Sequence, residues 1–421
     1  MSRRTAIHSF YFVVGGYSLS AFGTFLNMVA LNLFAYTATG SALMTGLFMA
    51  LRLVATFLTG LVAGRLVGRF NRKTLMIVSD LTQGAALVLL VLAPAELQGK
   101  LLYGLSIIFG VCTTLSGVSL RSSIPEMVGP EELVRANGLL VTGRSFAMVF
   151  GFASASLIVA WAGYTTAFLV DAATFFLSAL NLALLPLNTS AAPTPTPAQA
   201  PATGSTPAPG FFHAQRAALL FLKTVPVLLV MILIRTADAF GSASHQVGIP
   251  VYANLINPQA PSEFMGRFWA AWAVGSLLAY KVLARHLKGD GWLSGERAFA
   301  IGTCCMSSCF ILVFTGLPPP FMLLVAVGAG LADGFTEIAY SSRLQTVPDE
   351  QRGHLFGFTA MAESFGLGLG MLLSASLLEL LPPLPVVGLS HGTAIAMALL
   401  FLVLLASKTR RVRAADGTLQ S

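Results

Sequence analysis

The sequence contains a succession of apolar blocks, each about 20 residues or longer, and no other feature limits the possible folds as much. A helix needs about 20 predominantly apolar residues to cross a bilayer. Of the 421 residues, 55% are hydrophobic and only 10% are charged, whereas about a quarter of the residues in a soluble domain are charged. These values exclude a soluble globular enzyme and predict an all-α polytopic membrane protein.

Glycine, proline and charged residues divide the apolar blocks into twelve predicted transmembrane helices. Their predicted bounds are 9–35, 41–64, 74–93, 101–120, 137–160, 163–185, 225–253, 264–284, 297–316, 320–342, 355–379 and 386–406. Between the sixth and the seventh helix lies a Pro/Ala/Thr-rich stretch without apolar periodicity, which is typical of a flexible linker. We therefore predict an N-terminal six-helix bundle at 1–185, a cytoplasmic linker at 186–215, a C-terminal six-helix bundle at 216–407 and a cytoplasmic tail at 408–421.

The basic residues predict the orientation of the chain, because cytoplasmic loops of membrane proteins are enriched in Lys and Arg. Twenty of the 25 Lys and Arg lie at the N-terminus, in the second, fourth, eighth and tenth loops, at the end of the linker or in the tail: Arg3, Arg4, Arg65, Arg69, Arg72, Lys73, Arg121, Arg135, Arg216, Lys223, Lys281, Arg285, Lys288, Arg297, Arg343, Arg352, Lys408, Arg410, Arg411 and Arg413. The opposite loops contain only Lys100 and Arg267. Both termini are thus predicted to be cytoplasmic, in the plasma (bacterial inner) membrane. The formal net charge of +8 follows from this topology, so nucleic acid is not expected as a partner.

The two halves of the chain resemble each other at a nearly constant offset. An offset of 220 aligns Gly46, Phe48, Ala50, Val54, Leu58, Val62 and Arg65 with Gly266, Phe268, Ala270, Val274, Leu278, Val282 and Arg285. Offsets of 219 and 218 align Gly138, Ser145, Phe146 and Gly151 with Gly357, Ser364, Phe365 and Gly370, and Ala21, Phe22 and Gly23 with Ala239, Phe240 and Gly241. This agreement predicts two parallel six-helix repeats around a central cavity, with the substrate site between them at mid-depth.

The segment 64–73, Gly-Arg-Leu-Val-Gly-Arg-Phe-Asn-Arg-Lys, lies between the second and third predicted helices. It resembles the cytoplasmic signature of the major facilitator superfamily, although Gly68 stands where that family usually has aspartate. The layout is similar to the twelve-helix exporter branch, which contains enterobactin-type siderophore exporters and macrolide efflux pumps. Residues 151–156 only echo the antiporter motif of the fifth helix. The resemblance implies a secondary active transporter of a small-molecule solute and protons that works by alternating access, and we expect a monomer in the lipid bilayer.

Ionisable residues within the predicted spans are candidates for function, because a charge at the bilayer centre costs about 2.5 to 3.5 kcal/mol even on insertion scales. They are Arg52, Arg144, Asp171, Arg235, Asp238, Asp333, Glu337 and Glu363. For each of them a transport role and a fixed structural pair remain open. Arg235 and Asp238 are three residues apart on one helix face and can pair, which would leave little free charge. Asp333 and Glu337 are four apart on one face, so their repulsion and burial favour a bound proton on one of them.

The resemblance places helices one, four, seven and ten around the central cavity. We therefore predict proton coupling at Asp238, Asp333 and Glu337, and we include Glu363 of helix eleven as a further candidate.

The arginines at membrane depth predict affinity for an anionic solute, because guanidinium groups bind carboxylates bidentately. Arg52, Arg144 and Arg235 are the predicted substrate or interface charges. The resemblance also sets helix two beside helix eleven, so Arg52 and Glu363 are predicted to meet, either as a gate or as a permanent pair.

The loop between the second and third helices is the predicted gate. Arg69, Arg72 and Lys73 are expected to contact neighbouring helices in the outward-facing state, with Asp80 as the acidic partner that replaces the aspartate lost at Gly68.

The chain has no GxxxxGK[ST], HExxH or GxSxG motif, so neither ATP hydrolysis nor a membrane hydrolase is predicted. Its four cysteines have no ligand partners at metal spacing, and we predict neither a metal nor another cofactor. The prediction is a transporter and not an enzyme: a proton-coupled exporter of a small polar or amphipathic solute such as a siderophore or drug. An importer of a small anionic solute and a membrane-embedded enzyme or sensor are the alternatives.

Overall fold

The computed structural model describes residues 3–128, 132–185, 219–282, 295–347 and 349–418. In these ranges the chain forms helices and no β-strand. The helices are α1 (Arg3–Thr39), α2 (Ala42–Arg69), α3 (Arg72–Leu92), α4 (Ala95–Val128), a long bent helix (Leu133–Leu184) whose two arms, 133–162 and 164–184, we label α5 and α6, then α7 (Pro226–Ile256), α8 (Pro261–Val282), α9 (Gly295–Val313), α10 (Pro319–Gln345), α11 (Asp349–Leu378) and α12 (Pro383–Thr418).

The bend between α5 and α6 lies at Gly163, whose φ of 77° and ψ of 176° are not helical. A positive φ of this size strains residues that carry a Cβ atom, whereas glycine adopts it readily. The predicted break between 160 and 163 is therefore present, and with it the described residues contain the twelve long helices that were predicted.

Ten continuous helical segments of the described residues are long and apolar enough to cross a membrane, and together they include every labelled helix except α8. The longest candidate span, Leu139–Leu184, has 46 residues and contains both α5 and α6. α8 has 22 residues and is long enough to cross, but it is not among these ten segments. These findings confirm an all-α polytopic membrane protein.

Two helices extend well beyond their predicted bounds. α4 runs over Ala95–Val128, where 101–120 was predicted. α12 runs over Pro383–Thr418 and so includes most of the predicted tail. Hydropathy marks where lipid contact ends, but a helix satisfies its own backbone hydrogen bonds and can continue through charged residues with good helix propensity. The predicted linker, 186–215, lies outside the described residues.

The described residues group into two compact units. The first contains the chain up to residue 185 together with 250–270, and the second contains 219–249 and the chain from 271 onward. Residues 250–270 thus group apart from the predicted C-terminal bundle. Within the first unit, a Cβ atom on Gly266 would lie 2.6 Å from Ser156 Cβ and 2.9 Å from the Phe152 carbonyl oxygen, so α8 begins in close contact with α5.

Each unit has its own apolar core. The core of the first unit includes Phe10, Met76 and Leu120, from α1, α3 and α4. The core of the second includes Phe299 and Tyr340, from α9 and α10, whose rings stack with centroids 5.4 Å apart.

The same hydrogen bond occurs between helices two and four of each half. Thr56 Oγ1 donates to the Gly110 carbonyl oxygen at 3.4 Å in the first unit. Ser276 Oγ donates to the Gly330 carbonyl oxygen at 3.2 Å in the second unit, at positions 220 residues later. This repeated contact supports the duplication independently of sequence identity.

Close glycine contacts between helices one and five also occur in both halves. A Cβ atom on Gly151 would lie 2.8 Å from the Phe22 carbonyl oxygen, and one on Gly370 would lie 2.6 Å from the Phe240 carbonyl oxygen. Small residues let two membrane helices approach closely. The pairs are related by offsets of 218 and 219, which confirms the predicted registers.

Candidate functional site

The first unit contains a cavity of about 600 Å³. This volume lies in the range of about 300 to 1,000 Å³ that is typical of small-molecule sites. Its polar and aromatic lining residues come from all six helices of the N-terminal half and include Tyr17, Phe25, Arg52, Asp80, Gln83, Thr113, Arg121, Arg144 and Phe175. The cavity therefore combines positive charge, hydrogen-bonding groups and aromatic surface.

Two of the lining arginines lie over aromatic rings instead of carboxylates. The guanidinium carbon of Arg52 is 5.4 Å from the centre of the Phe109 ring, and that of Arg144 is 5.7 Å from the centre of the Phe25 ring. Neither arginine forms a direct ion pair with any residue that the structure describes. A ring face orients a guanidinium group without neutralising its charge, so both arginines can bind an anion.

Hydrogen-bonding groups from α3 and α4 adjoin the arginines. Thr113 Oγ1 donates to Gln83 Oε1 at 3.0 Å, and Gln83 Nε2 donates to the Ser79 carbonyl oxygen at 3.3 Å. Asp80, on the same face of α3, is 4% exposed and also lines the cavity. These polar groups extend the site beyond the arginines.

A buried polar pair joins α1 to α6 in the same unit. Asn27 Nδ2 donates to Asp171 Oδ2 at 2.7 Å, and both residues are 1% exposed or less. Gly23 makes room for the pair, because a Cβ atom there would collide with Asp171 and Thr174. Asp171 was a sequence candidate, but Asn27 was missed, since a single asparagine in an apolar helix gives no periodic or charge signal.

In the second unit, four carboxylates gather around Arg235. Its guanidinium group lies 2.6 Å from Glu337 Oε2, 3.2 Å from Asp238 Oδ2 and 3.7 Å from Glu363 Oε1. Asp333 acts on it electrostatically without a direct ion pair among the described residues. We call these five residues, Arg235, Asp238, Asp333, Glu337 and Glu363, the Arg235 cluster.

The Arg235 cluster modifies two predictions. The predicted pair of Arg235 and Asp238 is present. The two charges do not simply cancel, however, because the same guanidinium group also contacts Glu337 and Glu363. The neighbours of Glu337 are also more than Asp333, the like-charged residue considered in the prediction. Glu337 binds Arg235 and accepts a hydrogen bond from Ser341 Oγ at 3.0 Å. Carboxylates from three helices therefore share one cation.

The predicted gate loop connects α3 to the ends of α4 and α6. Arg72 pairs with Glu126 and donates to the Ser122 carbonyl oxygen at 2.8 Å. Lys73 Nζ donates to the carbonyl oxygens of Ala183 and Leu185 at 3.1 and 2.8 Å. Such bonds satisfy carbonyl groups that a helix leaves unpaired at its C-terminus.

Two other residues of the predicted gate lie elsewhere. Arg69 is the exposed last residue of α2. The acidic partner of Arg72 is Glu126, and Asp80 instead lies two turns further along α3, where it lines the cavity. The sequence prediction placed Asp80 in the loop network because it is near in the chain, whereas Glu126 becomes a neighbour only when α3 packs on α4.

A buried histidine pair joins α7 to α12 in the second unit. His245 Nδ1 and His391 Nε2 are 3.0 Å apart, and His391 Nδ1 is 3.0 Å from Ser307 Oγ. The Phe310 ring stacks on His245 with centroids 3.7 Å apart. Within the described parts of the chain, no group of three or more His, Cys, Asp or Glu residues could hold a metal ion.

Comparison with known proteins agrees with this architecture. A sequence model of the Major Facilitator Superfamily matches residues 13–342, well over half of the chain. The uncharacterised MFS-type transporter YfiS of Bacillus subtilis is 25% identical over 369 residues, which cover 84% of this chain and 83% of that protein.

Solved structures resemble the chain over nearly its whole length. The nucleoside transporter NupG has a TM-score of 0.69 at 13% identity, covering 94% of this chain and 99% of that chain. A bacterial homologue of the iron transporter ferroportin has a TM-score of 0.69 at 13% identity, covering 94% and 98%. At this identity the likeness shows the fold alone. The family match shows more: this chain belongs to the Major Facilitator Superfamily and is a membrane transporter.

Proposed function

We propose that the protein is a proton-coupled exporter of a small amphipathic solute that carries an anionic group, in the class of siderophores and drugs. The observation that carries this proposal is the cavity of about 600 Å³ with two arginines that have no direct ion pair among the described residues. A positive charge at membrane depth without an ion-pair partner is costly, and an anionic solute would supply that partner.

The lining supports a solute with two kinds of surface. Arg52 and Arg144 can each hold a carboxylate or a similar planar anion through two parallel N–H groups. Phe25, Phe175 and Tyr17 offer apolar and aromatic contact to the rest of the molecule. A solute that is charged throughout would make no use of this apolar surface.

The Arg235 cluster is the proposed site of proton coupling. If all four carboxyl groups were ionised, they would exceed the single guanidinium group by three negative charges in a partly buried region. Burial and like charges both favour proton binding by carboxyl groups. We assign the exchanging protons to Asp238, Asp333, Glu337 and Glu363, with Arg235 as the fixed counter-charge.

The loop of Arg69, Arg72 and Lys73 is the proposed gate, and its bonds to α4 and α6 would break and form during the cycle. We further propose that both termini are cytoplasmic, in the inner membrane of a bacterium. A reporter fused near Thr206 should then be cytoplasmic and one near Leu384 external; either reporter on the opposite side contradicts this orientation.

Uptake of a small anionic solute is the second candidate function. The same two arginines favour it, because the sign of a binding site does not set the direction of transport. Direction depends instead on which gradient is coupled to the conformational change.

The first experiment measures solute accumulation in cells and vesicles with the gene deleted and restored. Inside-out vesicles should accumulate an exported anionic solute when their lumen is acidified, since protons leaving the lumen drive solute in. Accumulation only in right-side-out vesicles would establish the importer. Accumulation that ignores the pH gradient would refute proton coupling.

Two variants connect this assay to the cavity. Arg52→Gln and Arg144→Gln should weaken solute binding, because each removes a guanidinium group from the lining. Arg267→Gln is the matched control: its side chain is 55% exposed and pairs with Glu263 one turn away. Equal transport by all three variants would remove the cavity from the proposed mechanism.

A further inference from the structure

The Asn27–Asp171 pair leaves one buried acceptor without a donor. Asn27 Nδ2 donates to Asp171 Oδ2 at 2.7 Å, but Asn27 Oδ1 accepts no hydrogen bond from any residue in the described part of the chain. Asn27 is 1% exposed and Asp171 is fully buried. Buried polar atoms are nearly always hydrogen-bonded, and an exception calls for a physical explanation.

Protonation of Asp171 would supply the missing donor. A neutral carboxylic acid and a primary amide bind each other through two hydrogen bonds: the acid O–H donates to the amide oxygen, and the amide N–H donates to the other carboxyl oxygen. A proton on Asp171 Oδ1, the carboxyl oxygen that is not bonded to Nδ2, would therefore give Asn27 Oδ1 a donor. Thr174 Oγ1 lies 3.4 Å from Asp171 Oδ1 and 2.8 Å from the Asp171 backbone carbonyl oxygen, and a protonated Oδ1 can still accept a hydrogen bond from it.

The charged groups around Asp171 are also unbalanced. Arg52 of α2 and Asp80 of α3 both act on it electrostatically, while α1 and its own helix contribute the neutral groups of Asn27 and Thr174. Two ionised carboxylates would exceed one guanidinium group in this buried region. Arg144 of α5 and Arg121 of α4 line the neighbouring cavity.

From this geometry we infer that Asp171 and Asn27 form a proton-binding site in the first unit, distinct from the Arg235 cluster. The duplicated half supports the inference independently. The equivalent positions, at offsets of 218 and 220, are His245 and His391. Both are buried histidines, and His245 Nδ1 lies 3.0 Å from His391 Nε2. Each half thus has a polar pair between its first and sixth helices.

Arg52 links this site to the cavity, because it acts on Asp171 and also lines the cavity wall. An anion bound to Arg52 would offset the positive charge that favours ionised Asp171. Proton uptake by Asp171 would then accompany solute binding, which is the coupling expected of the second candidate function, uptake of an anionic solute, and not of proton exchange. This role in the cycle rests on the proposed function, whereas proton binding itself does not.

Infrared difference spectroscopy of the purified protein in lipid nanodiscs, titrated with acid and base alone, tests the site without any solute. The carbonyl stretch of a protonated carboxylic acid should appear as the pH falls. Asp171→Asn should remove one such titrating band and still fold, because an amide in place of the acid keeps both hydrogen bonds to Asn27. Asp333→Asn is the matched control and should leave the Asp171 band in place.

Two further variants make the test decisive if Asp171→Asn is poorly folded. In Asn27→Ala the Asp171 band should shift in frequency, because the acid carbonyl loses its N–H donor. In Arg52→Gln the band should persist to higher pH, because the opposing positive charge is gone. Spectra unchanged in Asp171→Asn and Asn27→Ala, or an Asp171 band present at every pH, would overturn the inference. The expected band changes together with no proton-driven export by the unmodified protein would instead count against the proposed function and leave the proton-binding site in place.

Discussion

The two units place different polar side chains at equivalent positions. Arg144 lines the cavity of the first unit, and its equivalent at an offset of 219 is Glu363 of the Arg235 cluster. Tyr17 lines the cavity, and its equivalent at an offset of 218 is Arg235 itself. At the positions of Arg144 and Glu363, one half thereby has a cation that can bind an anion, and the other has a carboxylate that can bind a proton. Duplication preserved the helix framework while the polar side chains diverged.

A second comparison concerns the ion pairs between the third and fourth helices of each half. In the first unit the base is on α3 and the acid on α4, as Arg72 and Glu126. In the second unit the acid is on α9 and the base on α10, as Glu296 and Arg343, 2.8 Å apart. The basic residue can thus lie on either of the two helices. The contact requires opposite charges, but it does not require a particular residue on a particular helix.

The largest expected effect comes from Arg235→Gln, which leaves the carboxylates of the second unit without their cation. Stranding buried charges typically costs about 3 to 5 kcal/mol, and the lower figure applies here because Glu337 and Glu363 are 40% and 32% exposed. Thermal unfolding of the purified protein in detergent measures the loss.

The same measurement at lower pH sharpens this prediction. The loss should shrink as the pH falls, because protons then neutralise the carboxylates that Arg235 no longer balances. Arg267→Gln is the control, since an exposed pair contributes only about 0 to 1 kcal/mol. Equal losses in both variants would show that the Arg235 cluster adds no more than a surface pair.

The next largest effect tests whether both halves depend on the same glycine contact. Gly110→Ala and Gly330→Ala should each reduce the free energy of unfolding by about 1 to 3 kcal/mol, as expected for overpacking. In each case the added Cβ would press on a backbone carbonyl, that of Arg52 or Trp272.

Each glycine variant has a control on its own helix. Gly104 has no atom within 4 Å of an added Cβ, and at Gly328 that Cβ would lie 3.5 Å from Cys309 Sγ, an ordinary contact. Alanine at these control positions should be neutral or should stabilise the helix by up to about 1 kcal/mol. If Gly328→Ala reduced the free energy of unfolding as much as Gly330→Ala, the repeated glycine contact would not be the cause of the reduction.

Neutralising single carboxyl groups separates coupling from structure inside the Arg235 cluster. Asp333→Asn should abolish the response of transport to a pH gradient with normal abundance, because Asp333 has no direct ion pair among the described residues. Glu337→Gln should also lower the amount of folded protein, because it removes the 2.6 Å contact to Arg235. Abundance, solute binding and pH-dependent transport would be measured in both. Normal pH dependence with normal abundance in both would remove α10 from the coupling mechanism.

The smallest effect on stability is expected at the gate loop. Arg72→Ala should cost about 0 to 1 kcal/mol, because Glu126 is 37% exposed in this pair. It should slow the transport cycle more than it weakens solute binding, and an unchanged transport rate would reject the gate. The charge-reversed double variant Arg72→Glu with Glu126→Arg should restore the rate, since the second unit already uses this order.

Local sequence features were enough to predict most of the helices and some of the pairs. α3 lies at 72–92 where 74–93 was predicted, because a bilayer requires a minimum apolar length and Asn71 caps the helix through Thr74 N. The pair of Arg235 and Asp238 was predictable too, since residues three apart share a helix face.

Contacts between distant helices were decided only by the tertiary structure. Arg235 meets Glu337 and Glu363 across α10 and α11, and Asn27 meets Asp171 across 144 residues. Hydropathy and periodicity describe one helix at a time, and they carry no information about how neighbouring helices are rotated and spaced. In this protein close packing at small residues such as Gly23 sets that spacing, so the sequence determined which residues lie in the membrane, and helix packing decided which of them became partners.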